Sequence, residues 1–261
     1  STNDSPNKTG SAINTDAQYV WQAPEGVAVD IHEVKQIANG NYMGFVSETV
    51  QGPIPTDIGP ANMFENFGYT VDGITIEFPW VGQKIVEWDK NTNEEVWSWN
   101  PFEHFTMADY DKYEGTWWNA LWDGFHDWTH SNAFYFDSNE SAIYISSRHL
   151  SRITKIDYPS GNIIWMMGMP AEHMASGEEH ICSNLGFSFQ HNIKLLENGN
   201  LLFFDNGNLS EMLRNLNNPI TRMLEIEVID NSYCNIIWEY DLSQNMYSPW
   251  MGSVRLLDNG N

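Results

Sequence analysis

His191-Asn192-Ile193-Lys194-Leu195-Leu196-Glu197-Asn198-Gly199-Asn200-Leu201-Leu202 is the stretch that decides the fold. Two apolar runs flank an Asn-Gly pair. That is the strongest short hairpin signal, because both central residues of a type I′ turn need positive φ. The same phrase occurs earlier as Ile31-His32-Glu33-Val34-Lys35-Gln36-Ile37-Ala38-Asn39-Gly40-Asn41-Tyr42-Met43. It starts again as Ser253-Val254-Arg255-Leu256-Leu257-Asp258-Asn259-Gly260-Asn261. A looser copy begins at His130, turns at Ser138-Asn139-Glu140 and resumes at Ala142-Ile143-Tyr144-Ile145.

A second phrase follows: an apolar alternation, a polar turn, another apolar run and a Trp. It runs from Ile85 to Trp97, from Ile153 through Gly161 to Trp165, and from Leu224 to Trp238. Gln18-Tyr19-Val20-Trp21 resembles the end of an earlier copy. Two hairpins per unit make a four-stranded antiparallel sheet, and radial repetition of such sheets is a β-propeller. No helical period competes with this all-β reading. The recurring Trp, part of a total of 12, is expected to fill the gaps between neighbouring blades. About three blades lie between two partial ones, against the four to eight of a closed ring. The ring is therefore expected to need further chain or further copies, so an oligomer is possible. Residues 1–16 are expected to be a flexible polar segment, and residues 17–261 the propeller domain, incomplete at its C-terminal end. Thr49–Pro60, Phe102–Phe125 and Ala171–Asn184 read as long loops on one face, the second with a short helix.

The formal charge of −23 repels nucleic-acid phosphates and anionic membranes. An anionic substrate would need a local cluster of His and Arg. No apolar run reaches the length of a membrane span. Sequons at Asn3, Asn7, Asn139 and Asn208 carry little information on their own. Cys182 and Cys234 lie in different blades on this reading and are expected to stay unpaired thiols. With no Cys-x-x-Cys pair a cysteine-type zinc site is not expected. A converging set of histidines could bind a metal, but no acid to orient them is identifiable, so neither metal nor cofactor is expected.

Phe125-His126-Asp127-Trp128-Thr129-His130-Ser131-Asn132 carries the most chemistry. His130 stands just before an inner strand, and His191 and His32 hold the same place in two other copies. Three histidines at one position of a radial repeat converge on its axis. The bland alternative is a set of histidines that cap strands. His126 reads either as an orienting partner or as a packed loop residue. His104, His173 and His180 read as loop histidines.

These phrases together resemble the aryl-sulfate sulfotransferase family. The residues that carry the resemblance are His126 to Asn132, Ser146-Ser147-Arg148, Lys155-Ile156-Asp157 with Gly161 to Trp165, Gln190-His191, and Phe204-Asp205-Asn206-Gly207. The resemblance implies a secreted, periplasmic or extracellular six-bladed propeller. It implies transfer of a sulfuryl group from a phenolic sulfate ester to a phenol, without a nucleotide donor, through a sulfo-histidine. On that resemblance His130 and His191 are the catalytic candidates, and His32, His126, Arg148 and Arg214 the substrate-binding ones. The sequence departs from the family at two places. The nucleophilic His is expected beyond Asn261. The Arg that follows Asp-Asn-Gly is replaced by Asn208, with Arg214 the nearest substitute. The blade-ending Trp phrase also resembles quinoprotein propellers, but the vicinal Cys pair common there is missing. A different class remains open: a non-catalytic secreted propeller for glycan binding or assembly, with Trp117-Trp118 stacking on sugars.

Overall fold

The structure, a computed structural model, describes residues 10–13, 15, 16 and 19–257. Most of residues 1–16, with the Asn3 and Asn7 sequons, and the turn expected at Asn259-Gly260 lie outside the described residues.

A two-stranded ribbon, β1 (Ser11–Ile13) and β2 (Tyr19–Gln22), precedes three antiparallel sheets. The first sheet runs β3 (Val29–Gln36), β4 (Tyr42–Gly52), β5 (Phe78–Trp88) and β6 (Glu95–Trp99), and short β7 (His126–Asp127) joins β5 in parallel. The second runs β8 (Ser131–Asp137), β9 (Ala142–Ser147), β10 (Arg152–Asp157) and β11 (Ile163–Met167). The third runs β12 (His191–Leu195), β13 (Leu201–Asp205), β14 (Arg222–Ile229) and β15 (Tyr233–Asp241). Short helices α1 (Ala61–Asn66), α2 (Pro101–His104), α3 (Thr116–Asp123) and α4 (Ser210–Arg214) sit in the connections. The first strands lie side by side: β8 touches β3 on one flank and β12 on the other. Among the described residues no helix is long and apolar enough to cross a membrane.

Both hairpin phrases fold as the sequence reads, with one correction to the turns. In each Asn-Gly turn only the glycine takes positive φ, 89° at Gly40 and 84° at Gly199. Gly40 N donates to Ile37 O at 2.8 Å, and Ile37 N donates to Asn41 O at 2.9 Å. The loop is therefore a three-residue turn closed by a left-handed glycine, not the two-residue type I′ form. The turn asparagines explain the choice. Asn39 and Asn41 both donate to Glu87 Oε1 on β5, at 2.8 and 2.7 Å. Asn198 and Asn200 donate in the same way to Glu225 on β14, at 3.1 and 2.6 Å. The second sheet inverts the charge at the matching place, where Lys155 on β10 pairs with Glu140 in the turn.

Trp97, Trp165 and Trp238 occupy one register position, opposite Glu87, Lys155 and Glu225. Trp97 Nε1 donates to Pro159 O in the turn of the second sheet at 2.8 Å. Trp165 Nε1 donates to Asn231 Oδ1 in the turn of the third at 3.1 Å. Trp97 and Trp165 thus each tie their sheet to the next one, as the repeat predicts. Phe45, Phe134, Ile143 and Ile156 fill the space between the first two sheets, and Tyr144, Ile153, Phe187 and Phe203 that between the second and third.

The cysteines overturn the expectation of free thiols: Cys182 and Cys234 form a disulfide. They do belong to different sheets by sequence. Ile181, however, bridges to Met167 on β11, and this brings the connection between the second and third sheets over β15. The bridge closes a span of 52 residues. Cys182→Ser is expected to lower stability by about 2–4 kcal/mol through the freed entropy of the unfolded chain. Denaturant titration of both forms checks this, and an unchanged midpoint refutes it.

Candidate active site

The segment 126–131 leaves the parallel pairing of β7 with β5 and turns into β8. Gln83 of β5 anchors it from below. Its amide oxygen accepts from Thr129 Oγ1 and from Ser131 N, both at 2.7 Å. Its amide nitrogen donates to Asp127 Oδ1 at 3.4 Å. His130 then sits at φ 44°, a left-handed conformation that few residues other than glycine adopt. Such strain persists where the surroundings enforce it, often at functional sites.

His130 Nδ1 lies in a short contact with the Asp127 carboxylate. Burial alone would raise the Asp127 carboxyl. The hydrogen bond to His130 and the fields of His149 and His130 outweigh it and hold the group well below the usual carboxylate range. Asp127 is therefore a permanent anion that fixes the His130 ring. The ring is stacked on His149, with centroids 4.5 Å apart, and meets His32 edge-on at 5.0 Å. His191 is buried, with Nδ1 2.7 Å from Asn206 Oδ1. Burial pushes His191 down to about 4 against the Asn206 hydrogen bond, aided by Arg148, His130 and His32. Gln190 holds it in place through bonds to Ser146 Oγ at 3.0 Å and Arg152 O at 3.0 Å. The structure thus brings together the three histidines at the heads of the inner strands.

Arg148 joins them. It is buried and lies over the Phe189 ring at 4.7 Å. Its Nη2 donates to Pro249 O at 2.9 Å, while its buried Nε has no hydrogen-bond partner among the described residues. A cavity of about 260 Å³ opens here. Its walls include Asp127, His130, Arg148 and His149 at a polar end, and Ala120, Phe125 and Trp250 as apolar surface.

Of the six sequence-derived candidates only His130 and Arg148 line this cavity; His32 and His191 stand beside His130 without lining it, and His126 and Arg214 are turned away from it. His126 is fully buried between Trp117, stacked at 4.0 Å, and Trp80, edge-on at 4.8 Å. It packs the core rather than binding a ligand. Trp117 is buried in the same stack, so only Trp118 of that pair is exposed. Arg214 points the other way and pairs with Glu239 at 3.4 Å and Asp241 at 3.2 Å on β15. Those carboxylates neutralise it.

Burial lowers His126 to about 3 against the field of Asp127. An unfolded histidine titrates near 6.5, so the unfolded chain binds this proton first. The neutral ring therefore favours folding above about 6.5, and that contribution is lost as pH falls towards about 3. His126→Phe keeps a flat ring between the two tryptophans. It is expected to flatten the decline in thermal stability between pH 7 and pH 4. An identical decline in both proteins refutes the assignment.

His149 is the residue that sequence reading missed. It has no counterpart in the repeat, so only the fold reveals that it stacks on His130. Its Nδ1 lies 2.6 Å from the Asp127 carbonyl oxygen. An acceptor there means that Nδ1 carries the proton. Burial holds the imidazole neutral, well below its usual range. Asp127, His130 and His149 are also close enough, with donor atoms within 4.8 Å, to hold a metal ion. The neighbouring Arg148 charge opposes a cation and favours an anion.

The family model of arylsulfotransferase (ASST) matches residues 71–261, more than half of the chain. The chain belongs to the arylsulfotransferase family. Its match takes in Asp127, His130, Arg148, His149 and His191, while His32 lies before it. No curated protein is measurably similar to this arylsulfotransferase-family chain. Among solved structures, a protein of unknown function from Bacteroides caccae aligns over 92% of this chain at 11% identity, with a TM-score of 0.41. The chain spans 55% of that protein's length.

Proposed function

We propose that this protein transfers a sulfuryl group between phenols, with the cavity at Arg148 and His130 as the place where the sulfate ester is held. The observation that carries the reading is the cationic guanidinium of Arg148 lining one cavity with His130 and His149, in a chain of strongly negative net charge. Such a cluster is what an anionic ester needs. The three sheets are taken as consecutive blades of a six-bladed propeller, whose inner strands converge on one axis.

In the first half-reaction a histidine nitrogen attacks sulfur. The S–O bond breaks, and its electron pair leaves with the phenolate. His130, held by Asp127, gives that oxygen a proton. In the second half-reaction the acceptor phenol returns a proton to His130 as its oxygen attacks sulfur, and the S–N bond of the sulfo-histidine breaks with its electron pair returning to the histidine nitrogen. Arg148 offsets the charge on the sulfuryl oxygens in both steps. His191 is neutral at physiological pH and offers a hydrogen bond rather than a charge. A cavity of about 260 Å³ is small for a ligand site. It suits one aryl ring with its ester, so donor and acceptor take turns. The Cys182–Cys234 bridge supports residence in an oxidising, secreted compartment.

The test varies an aryl sulfate and a phenol together, with no nucleotide donor present. Parallel double-reciprocal lines support two half-reactions through one site. Intersecting lines refute the covalent intermediate and leave transfer itself standing.

A further inference from the structure

We infer that Trp250 is the aryl-recognition residue of this site, selecting aromatic over aliphatic sulfate esters; the inference rests on the sulfotransferase reading above. Trp250 lines the same cavity as Arg148 and His130.

Its backbone is fixed. Residues 247–252 cross the third sheet as a strap without regular structure. Arg148 Nη2 donates to Pro249 O at 2.9 Å. Asn206 Nδ2 donates to Ser248 O at 2.6 Å and to Met251 O at 3.1 Å. Ser248 N donates to Thr221 Oγ1 at 2.9 Å, and Ser248 Oγ to Met251 O at 2.7 Å. Gly252 lies flat on Phe204, where an added Cβ would stand 2.0 Å from the ring. The strap is therefore pinned on both sides of Trp250. A tryptophan with two rotatable bonds on a pinned backbone is a rigid platform that loses little entropy when a ring settles on it.

The pins are also the site's own residues. Arg148 supplies the positive charge, and Asn206 holds His191. One guanidinium thus links the sulfuryl end of the cavity to the strap that carries its aromatic wall. With Phe125, Trp250 forms the aromatic part of that wall. A phenyl ester can present its charged end to Arg148 and its ring to the indole. An alkyl ester can use only the first contact.

The experiment measures binding of phenyl sulfate, hexyl sulfate and inorganic sulfate to the intact protein, with steady-state transfer alongside. Trp250→Ala is expected to weaken phenyl sulfate about tenfold, as loss of a ring-on-ring contact and its buried area would. Inorganic sulfate is expected to bind unchanged, and Trp250→Phe to recover most of the phenyl sulfate affinity. The loss is expected in KM rather than in kcat. Equal weakening of inorganic and phenyl sulfate overturns the inference, because Trp250 then only props up the strap. Unchanged phenyl sulfate affinity and KM overturn it too, while continued turnover leaves the transferase reading intact. If the wild-type protein neither binds nor turns over phenyl sulfate, both fall.

Discussion

On the proposed function, His130→Ala is expected to lower sulfuryl transfer by about three orders of magnitude, the scale of a lost general acid and base. The loss depends on the leaving group. A nitrophenolate departs without a proton, so its transfer suffers least, whereas an unsubstituted phenolate shows the full effect. That dependence separates proton donation from a structural role. His130 holds a left-handed backbone at φ 44°, and asparagine tolerates this conformation better than alanine. His130→Asn is therefore the cleaner variant: it is expected to fold normally and to show the same dependence. Equal losses for all leaving groups would move His130 from proton transfer to substrate positioning.

Arg148→Ala is expected to lower transfer by about 10²–10³, the usual cost of one charge-stabilising donor. Lysine does not restore it, because an ammonium cannot both bond Pro249 O and present a second donor in the same plane. Arg214→Ala is the control. Arg214 is already neutralised by Glu239 and Asp241 on β15, so its loss leaves transfer unchanged. The two variants decide between the candidates for the arginine that the sequence lacks after Asp205-Asn206-Gly207. Equal activity of wild type and Arg148→Ala refutes the assignment.

The repeat made much of the fold legible. Period-two alternation with Asn-Gly punctuation marks the hairpins, and Trp97 and Trp165 dock on the neighbouring turns as predicted. The turn type was not legible. The two-residue and three-residue forms share the Asn-Gly signature, and only Glu87 and Glu225, distant in sequence, select the longer one. The disulfide was hidden for a similar reason, since the connection that carries Cys182 crosses to a sheet other than the one it leaves.

At the site, repeat position alone picked out His32, His130 and His191, and the structure sets them together. His149 could not be found that way, because it stands after β9 in one sheet only and reaches His130 across the hairpin. His126 shares a motif with His130 but belongs to the core. Its fate is decided by Trp80 and Trp117, which the motif does not contain. Arg214 was closest in sequence to the expected arginine, but α4 turns it towards β15.

The central claim is that sulfuryl groups move between phenols at this cavity. The most direct test incubates the intact, folded protein with an aryl sulfate, with and without a phenol acceptor and with no nucleotide donor, and follows phenol release. Release that rises with acceptor and disappears in His130→Asn is the predicted result. Wild-type protein that stays folded, binds the ester and releases no phenol would contradict the account.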